Sequence, residues 1–310
     1  MNKILAVFQL LRIRQYYKNV IMFIGIFFAG RLFDFKIYPL LILAFSIICL
    51  SSSFTYIIND IKDRDSDKIH PEKIKKKPLA NGDLTITFAI ILLIAISAII
   101  IISLIYLKNL LYSILIVFII TNGLVYNFVL KKIPFADIIS LSTTYIWRAL
   151  AGCAIINIRI SPWLTITVFL TALFLATGKR IADLELLGIE NAKNHKKIYD
   201  SYSAHLLNNI LILNATSLFI MYTLYCVLGP LEAGSIVPVE NQGILVYSTP
   251  VALYLIIRFL YVVKAKPAIA RNAEKLITDR GMIFGSVLLG IIVIISLYLE
   301  IGNWAFFIQS

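Results

Sequence analysis

The sequence predicts an all-α polytopic membrane protein, and two observations support this fold class. Of the 310 residues, 60% are hydrophobic and only 15% are charged. Soluble domains are nearer half apolar and a quarter charged. The apolar residues also lie in blocks of about 20 residues, which is the length that an α-helix needs to cross a bilayer.

Nine membrane spans are predicted from the windows of high hydropathy. They cover about 18–33, 37–58, 86–107, 110–129, 136–156, 162–179, 206–228, 244–263 and 282–300. Residues 1–17 are interpreted as an interfacial helix. Two long inner loops, 59–85 and 180–205, follow spans about 120 residues apart, which indicates a weak internal repeat. We therefore predict one domain, 1–310, with two four-helix halves and an appended ninth helix.

The positive charges predict a cytoplasmic N-terminus. With that orientation, 23 of the 29 Lys and Arg residues fall in inner segments, four fall outside, and Arg148 and Arg258 lie within spans. This asymmetry follows the positive-inside rule for a plasma-membrane protein. It accounts for the net charge of +12 without nucleic-acid binding. The three cysteines lie in separate apolar runs, so neither a disulfide framework nor a zinc site is predicted.

An acidic segment, NDIKDRDSD at 59–67, follows the second span. On a helix, Asp60, Asp63 and Asp67 share one face, Asn59 borders it, and Asp65 points elsewhere. Carboxylates on one face repel one another unless a cation bridges them, and Mg²⁺ prefers such oxygen ligands together with water and phosphate. The face is therefore predicted to bind Mg²⁺ and a diphosphate.

Three alternatives stay open from the residues alone. The acidic segment could be a solvated loop whose carboxylates pair with neighbouring cations, which are Lys62, Arg64 and Lys68. Lys179 and Asp183, four residues apart on a helix, could form a structural ion pair or a second metal or phosphate site. Arg148, near the middle of a span, could bind a phosphate or could be structural.

The pattern Asn59-Asp60-x-x-Asp63-x-x-x-Asp67 at the inner end of the second span resembles the first aspartate motif of the UbiA superfamily of intramembrane prenyltransferases. The resemblance covers nearly the whole chain. It implies nine helices around a central cavity, with a cytoplasmic cap at the mouth that carries both polar loops. It also implies Mg²⁺ as the cofactor, with Asn59, Asp60, Asp63 and Asp67 as its ligands.

Five further stretches resemble the polyprenyl-phosphate phosphoribosyltransferase branch of this superfamily. They are RIRQYYKN at 12–19, HPEK at 70–73 with KPLANG at 77–82, GKRIAD at 178–183, YDSYS at 199–203 and LITDR at 276–280. Three positions depart from the branch pattern: Ile13 replaces Pro, Tyr16 replaces Trp and Asp183 replaces Glu.

The branch resemblance implies transfer of 5-phosphoribose from 5-phosphoribosyl 1-diphosphate to a polyprenyl phosphate, with release of diphosphate. The carboxylates implied in catalysis are Asp60, Asp63, Asp67 and Asp183. The residues implied to bind substrate phosphates are Arg12, Arg14, Gln15, Lys18, Asn19, Lys73, Lys77, Lys179, Arg180, Tyr202 and Arg280.

Two other functions are weighed against this one. The first is a prenyltransferase that acts on an aromatic or glycerol-phosphate acceptor, which shares the fold and the metal but does not explain the RIRQYYKN and LITDR stretches. The second is a carrier or channel, whose path would need several charged residues within the spans. Only Arg148 and Arg258 qualify as such residues. Whether the protein forms a homo-oligomer is left open.

Overall fold

The computed structural model describes residues 3–69, 74–159, 161–195, 197–229 and 242–299, and every regular element in these ranges is helical. We number the α-helices in chain order as α1 Lys3–Leu11, α2 Ile24–Phe28, α3 Tyr38–Lys62, α4 Arg64–Ile69, α5 Ile86–Leu107, α6 Leu110–Phe128, α7 Ala136–Ile155, α8 Pro162–His195, α9 Ala204–Leu228, α10 Gln242–Val246, α11 Thr249–Ala265, α12 Pro267–Ala270 and α13 Arg280–Tyr298. Short 3₁₀ helices connect several of them.

Eight helical stretches among the described residues are long and apolar enough to cross a membrane. They are Phe35–Lys62, Ile86–Leu107, Leu110–Phe128, Ala136–Ile155, Pro162–Leu186, Ala204–Leu228, Ile244–Ala265 and Arg280–Tyr298. Each matches one of the last eight predicted spans, so the all-α polytopic fold is confirmed. The fifth of these stretches runs past the predicted end at 179, and α8 is interrupted only at Gly188, where φ is 70°.

The first predicted span, 18–33, is wrong, because the chain does not form one continuous α-helix there. This part of the chain is a 3₁₀ helix, Ile13–Phe23, followed by the five-residue helix α2. A 3₁₀ helix has three residues per turn, so positions three apart share a face. Asn19 and Met22 are accordingly buried, while an opposite set at the same spacing is exposed, comprising Arg14, Tyr17 and Val20.

The predicted N-terminal helix is shorter than 1–17. Helix α1 ends at Leu11, because Arg12 adopts a left-handed conformation with φ 54° and so turns the chain into the 3₁₀ helix. Ala6 and Leu10 are fully buried, and α1 packs on α3.

The chain divides into two compact units. The first contains the described residues of Met1–Ile26, Phe33–Val129 and Thr144–Ile158. Its central element is α3, which packs against α1, the 3₁₀ helix, α5 and α6. Polar side chains reinforce this packing, since Tyr112 donates to the carbonyl of Ala44 at 2.8 Å and Asn127 donates to that of Thr55 at 3.0 Å.

The second unit contains the described residues of Phe27–Leu32, Leu130–Thr143 and Arg159–Ser310, so α7 contributes residues to both units. Within it, α8 packs against α9, α11 and α12, and α11 packs against α13. Gly178 makes the contact between α8 and α11 close, because a Cβ at this position would lie 2.6 Å from the ring of Phe259.

Candidate active site

The acidic segment after the second span is not one continuous helix. Helix α3 ends at Lys62, Asp63 is its C-terminal cap, and α4 begins at Arg64. The backbone spacing still resembles a helix, because Asp63 N donates to Asn59 O and Asp67 N donates to Asp63 O, each at 2.9 Å. Asp60 and Asp67 are both buried, at 3% and 1% exposure, whereas Asn59 and Asp63 are half-buried.

Lys77 bridges the two buried carboxylates. Its Nζ atom lies 3.0 Å from Oδ1 of Asp60 and 2.5 Å from Oδ2 of Asp67. Arg12 adds a second cation, with Nη2 at 2.6 Å from the same Oδ1 of Asp60 and its guanidinium 4.7 Å above the ring of Tyr56. We call Arg12, Asp60, Asp67 and Lys77 the first charged cluster. Two cations here balance two carboxylates, which satisfies the charge requirement for burying them.

A tight turn holds Lys77 in this position. The amides of Ala80 and Asn81 donate to the carbonyl of Lys77 at 3.0 and 3.1 Å, and Leu84 N donates to that of Pro78. Gly82 closes the turn with φ +85°, a conformation that L side chains rarely adopt. The KPLANG stretch is therefore the structural support of Lys77.

The solvated-loop alternative is wrong for the two buried carboxylates. Their partners are distant in sequence, whereas Lys62 donates to the carbonyl of Asn127 at 3.0 Å. Arg64 donates to the carbonyl of Leu79 at 3.1 Å. The alternative holds for Asp65, which is 89% exposed and pairs with Lys68 at 3.3 Å, in agreement with the prediction that it points off the acidic face.

The polar residues of the N-terminal stretch 12–19 differ in exposure, because they lie on different faces of the 3₁₀ helix. Arg14 is exposed, Gln15 and Lys18 are half-buried, and Lys18 lies 5.8 Å from the ring of Tyr17. Asn19 is buried instead, donates to Sγ of Cys49 at 3.2 Å and accepts from Ser52 at 3.4 Å. Of this stretch, Arg12 is the residue that the structure brings to the acidic segment.

A second charged cluster lies in the second unit and is built around Arg180, which is 4% exposed. Its Nη2 donates to Oδ2 of Asp137 at 2.6 Å, and its Nη1 donates to the hydroxyl of Tyr199 at 3.4 Å. Tyr202 donates a short hydrogen bond to the other oxygen of Asp137 and accepts one from the amide of Phe135 at 3.0 Å. The predicted residues Arg180 and Tyr202 are thus joined through Asp137.

Asp183 completes the second charged cluster. The hydroxyl of Tyr199 donates to its Oδ2 at 2.6 Å, and Nε of Arg271 lies 2.8 Å from its Oδ1. Asp183 thus contacts one phenol and one guanidinium, while the side chain of Lys179, four residues earlier, is exposed. Burial raises the pKa of both Tyr199 and Tyr202 above the ordinary value of 10.0, so both phenols stay protonated as donors at neutral pH.

A third group of charges fixes the start of the last helix. Arg258 donates from Nε and Nη2 to the two oxygens of Asp279 at 2.9 and 3.0 Å, and Lys266 donates to Oδ2 at 2.7 Å. Asp279 also caps α13 by accepting from the amides of Gly281 and Met282. The hydrogen bond from Arg258, the bond from Lys266 and the cap lower the pKa of Asp279 despite its burial. Arg280, the next residue, is exposed.

Sequence reasoning missed Asp137, Arg271 and the role of Asp279. Asp137 stands in the first turn of a membrane helix, and an acidic residue at the edge of an apolar span is a signal that could have identified it. Arg271 carries no comparable signal, since it is one of many cations in the inner loops. Lys73, a predicted phosphate ligand, lies outside the described residues.

The first charged cluster fits a divalent cation that binds together with a diphosphate. Oxygens of Asp60 and Asp67 already converge on one cation, the ammonium of Lys77. Among the described residues, no group of three or more Asp, Glu, His or Cys side chains is arranged to hold a metal. Mg²⁺ is commonly held by one or two carboxylates and completes its coordination with water and substrate phosphates. The donor set therefore suits Mg²⁺ that arrives with its anion.

The described residues contain eight helices that are long and apolar enough to cross a membrane, together with two clusters of buried charged and polar side chains, which places the chain in the class of multi-pass membrane proteins. Residues 19–277 match the sequence profile of the UbiA prenyltransferase family, and the chain belongs to that family. The resemblance found from the aspartate motif is thus confirmed.

Curated relatives carry a more specific name. The chain is 28% identical over 281 residues to decaprenyl-phosphate phosphoribosyltransferase of Mycolicibacterium smegmatis, with 89% of this chain and 86% of the relative aligned. It is 30% identical over 218 residues to the protein of the same name from Corynebacterium glutamicum, with 69% and 65% aligned.

Solved structures show the same fold. A UbiA homologue from Archaeoglobus fulgidus bound to GPP and Mg²⁺ aligns with a TM-score of 0.67 and 15% identity, over 92% of this chain and 99% of that one. A digeranylgeranylglyceryl phosphate synthase aligns with a TM-score of 0.63 and 15% identity, over 96% and 98%. At this identity the likeness concerns the fold.

Proposed function

We propose that this enzyme transfers 5-phosphoribose from 5-phosphoribosyl 1-diphosphate to a polyprenyl phosphate and releases diphosphate. The observation that carries the proposal is the bridge that Lys77 forms between Asp60 and Asp67. It places cations suited to phosphate beside carboxylates suited to Mg²⁺. The names of the curated relatives support the same substrate pair.

Asp60 and Asp67, with Asp63 and Asn59 beside them, would hold Mg²⁺ at the position where Asp60 and Asp67 now contact the Lys77 ammonium. The metal would supply charge neutralisation for the departing diphosphate. Lys77 and Arg12 then donate to phosphate oxygens, for which the guanidinium fork of Arg12 is well matched.

The transfer step needs no general base. An anionic oxygen of the acceptor phosphate forms a bond to C1 of the ribose, and the bond from C1 to the diphosphate oxygen breaks. Diphosphate leaves with the electron pair, and positive charge develops on the ring oxygen, as in other glycosyl transfers. Positioning and electrostatic stabilisation then supply most of the rate enhancement.

The second charged cluster supplies protonated donors and a paired guanidinium. Tyr199, Tyr202 and Arg180 remain donors at neutral pH and are held by Asp137 and Asp183. We propose that Arg180 donates its remaining N–H groups to phosphate oxygens of a substrate, together with Lys179 and the exposed Arg280. Tyr199 and Tyr202 would bind the same phosphate by turning their single O–H groups away from Asp183 and Asp137. The remaining predicted phosphate ligands are Arg14, Gln15, Lys18, Asn19 and Lys73, of which Asn19 already has protein partners.

The donor is water-soluble and highly charged, so it cannot cross the hydrocarbon cheaply. We propose that it enters from the cytoplasm, that the protein resides in the plasma membrane with its N-terminus inside, and that the lipid acceptor approaches from the bilayer. This orientation follows from the distribution of Lys and Arg along the chain.

One assay tests the proposal. Purified protein in detergent is given radiolabelled 5-phosphoribosyl 1-diphosphate and a polyprenyl phosphate, with Mg²⁺ or with a chelator. Labelled lipid that appears only with Mg²⁺ and is lost in Asp60→Asn supports the transfer. A parallel reaction contains a prenyl diphosphate with an aromatic or glycerol-phosphate acceptor. Product in this second reaction alone would overturn the proposal in favour of prenyl transfer.

A further inference from the structure

Arg148 is a buried cation near the middle of the membrane helix α7. It is 7% exposed, and its Nε atom is buried without a hydrogen-bond acceptor. Among the residues that the structure describes, its guanidinium has no carboxylate partner and contacts the ring of Tyr145 at 5.2 Å. An arginine inside a membrane span is costly unless it is paired, so its unused donors indicate a missing anion.

The second intramembrane arginine provides the contrast. Arg258 donates two hydrogen bonds to Asp279, which satisfies its charge within the protein. In the described part of the chain, no carboxylate pairs with Arg148 as Asp279 pairs with Arg258. A purely structural arginine is expected to resemble Arg258, because a buried guanidinium with five donors needs acceptors in a low-dielectric interior.

The contact between α7 and the 3₁₀ helix fixes where Arg148 lies. Gly152, one turn further along α7, packs so closely on Met22 that a Cβ would lie 1.8 Å from the carbonyl oxygen. Arg148 is on the same side of α7, because residues four apart share a helix face. Asn19, three residues before Met22 on the 3₁₀ helix, is buried and donates to Sγ of Cys49 on α3. The guanidinium therefore lies in the polar interior of the first unit.

A tyrosine ring lies against a guanidinium both here and at the first charged cluster. The guanidinium of Arg148 lies 5.2 Å from the centre of the Tyr145 ring. The ring of Tyr56 lies 4.7 Å below the guanidinium of Arg12, which in turn binds Asp60 at 2.6 Å. All five residues belong to the first unit. An anion beside Arg148 would thus lie in the same unit as the carboxylates of the first charged cluster.

We propose that Arg148 binds the phosphate monoester of a substrate, and this inference rests on the proposed function. A guanidinium can donate two parallel hydrogen bonds to one phosphate, which a lysine cannot do, and the pairing is strong when water is excluded. Two substrates offer this group, since the lipid acceptor ends in a phosphate and the donor carries a 5-phosphate. Arg148 is a binding residue in either case and makes no covalent bond.

The test compares Arg148→Gln and Arg148→Lys with wild type in detergent. KM is measured for the polyprenyl phosphate and for 5-phosphoribosyl 1-diphosphate, and binding of geranyl phosphate and ribose 5-phosphate is measured without turnover. Lys108→Gln removes a charge at an exposed helix end of the same unit and serves as the control. Thermal unfolding confirms that each variant is folded.

We expect Arg148→Gln to raise one of the two KM values by at least about tenfold and to weaken the matching probe equally, with partial recovery in Arg148→Lys. A raised KM for the polyprenyl phosphate with weaker geranyl phosphate binding would show that Arg148 binds the acceptor phosphate. A raised KM for 5-phosphoribosyl 1-diphosphate with weaker ribose 5-phosphate binding would show that it binds the 5-phosphate of the donor. Unchanged KM values in a folded variant of an active enzyme would overturn the inference. If wild type lacks the transfer activity, the proposed function fails, while loss of probe binding in Arg148→Gln still supports the phosphate site.

Discussion

The ammonium nitrogen of Lys77 lies 3.0 Å from Oδ1 of Asp60, although the two residues are separated by a chain reversal and the whole of α4. Under the proposed function, this lysine is the partner of the carboxylates in the free enzyme and a donor for phosphate in the complex. A divalent cation that binds the carboxylates would compete with its ammonium for their oxygens.

Lys77→Met should weaken catalysis and increase the effect of Mg²⁺ on stability. Without the ammonium, Asp60 and Asp67 repel each other, and added Mg²⁺ relieves that repulsion. We expect kcat/KM for the donor to fall by about 10- to 100-fold, which corresponds to the loss of one hydrogen bond to a charged group. Thermal unfolding with and without Mg²⁺ should show a larger shift than in wild type. The matched control is Lys76→Met, which removes an exposed lysine next to Lys77. If Mg²⁺ raised the unfolding temperature equally in both variants, Lys77 would not bridge Asp60 and Asp67.

Asp60→Asn and Asp65→Asn should differ sharply in activity. Asp60 is buried and binds two cations, whereas Asp65 is 89% exposed and pairs only with neighbours on α4 and at its start. We expect Asp60→Asn to reduce Mg²⁺-dependent kcat by about 10²-fold or more, and Asp65→Asn to stay within about twofold. Initial rates over a range of Mg²⁺ concentrations measure both. Greater sensitivity of Asp65 would disprove the assignment of the acidic face.

Asp279→Asn should lower thermal stability by the same amount at pH 5 and pH 8. The pKa of Asp279 is depressed in the folded protein, so the charged carboxylate contributes its full stability at pH values above the ordinary carboxyl pKa of 3.8. This contribution is lost only as the pH falls below 3.8 towards the lower pKa of the folded state. Asparagine keeps the helix cap but removes the charge that pairs with Arg258 and Lys266. Unfolding temperatures across this pH range provide the measurement. A deficit that grew between pH 5 and pH 8 would contradict the depressed pKa.

Gly152→Ala should destabilise the first unit, because the added methyl would overlap the carbonyl of Met22 at 1.8 Å. Relief requires a backbone shift, for which a cost of about 1–3 kcal/mol is typical. Gly290→Ala is the matched control, since nothing lies within 4 Å of its Cβ position and alanine favours helices. Thermal unfolding of the two variants should move in opposite directions. Equal stability of Gly152→Ala and wild type would show that α7 does not pack this closely against the 3₁₀ helix at Met22.

The orientation can be checked by cysteine labelling. The three native cysteines are buried and can be replaced to give a cysteine-free background. Ser66→Cys, on the exposed side of α4, should react only with reagents admitted to the cytoplasm, because of the positive charge around it. Lys108→Cys, between α5 and α6, should react from outside. Reversal of the two patterns would overturn the topology and the proposed route of the donor.

Hydropathy was sufficient for the eight long spans, because hydrocarbon thickness imposes a length that can be counted along the chain. It failed at 18–33, where Asn19 is buried and Val20 is exposed. Burial in this segment repeats every three residues, as in a 3₁₀ helix, and not every 3.6 residues. Spacing also identified the carboxylates of α3 and α4. Their partners could not be found in this way, since the pairing of Arg12 with Asp60 depends on tertiary contacts between residues 48 positions apart.

The 3₁₀ helix at Ile13–Phe23 has a consequence for how this protein can vary. Each turn contains three residues, so adding or deleting one residue rotates everything beyond it by about 120° and would move Asn19 and Met22 off the face that meets α3 and α7. The fold of the segment should tolerate single substitutions at the exposed residues Tyr17 and Val20 but not the insertion or deletion of one or two residues. Helix α5, only 17% buried over its apolar window, should accept such changes far more readily.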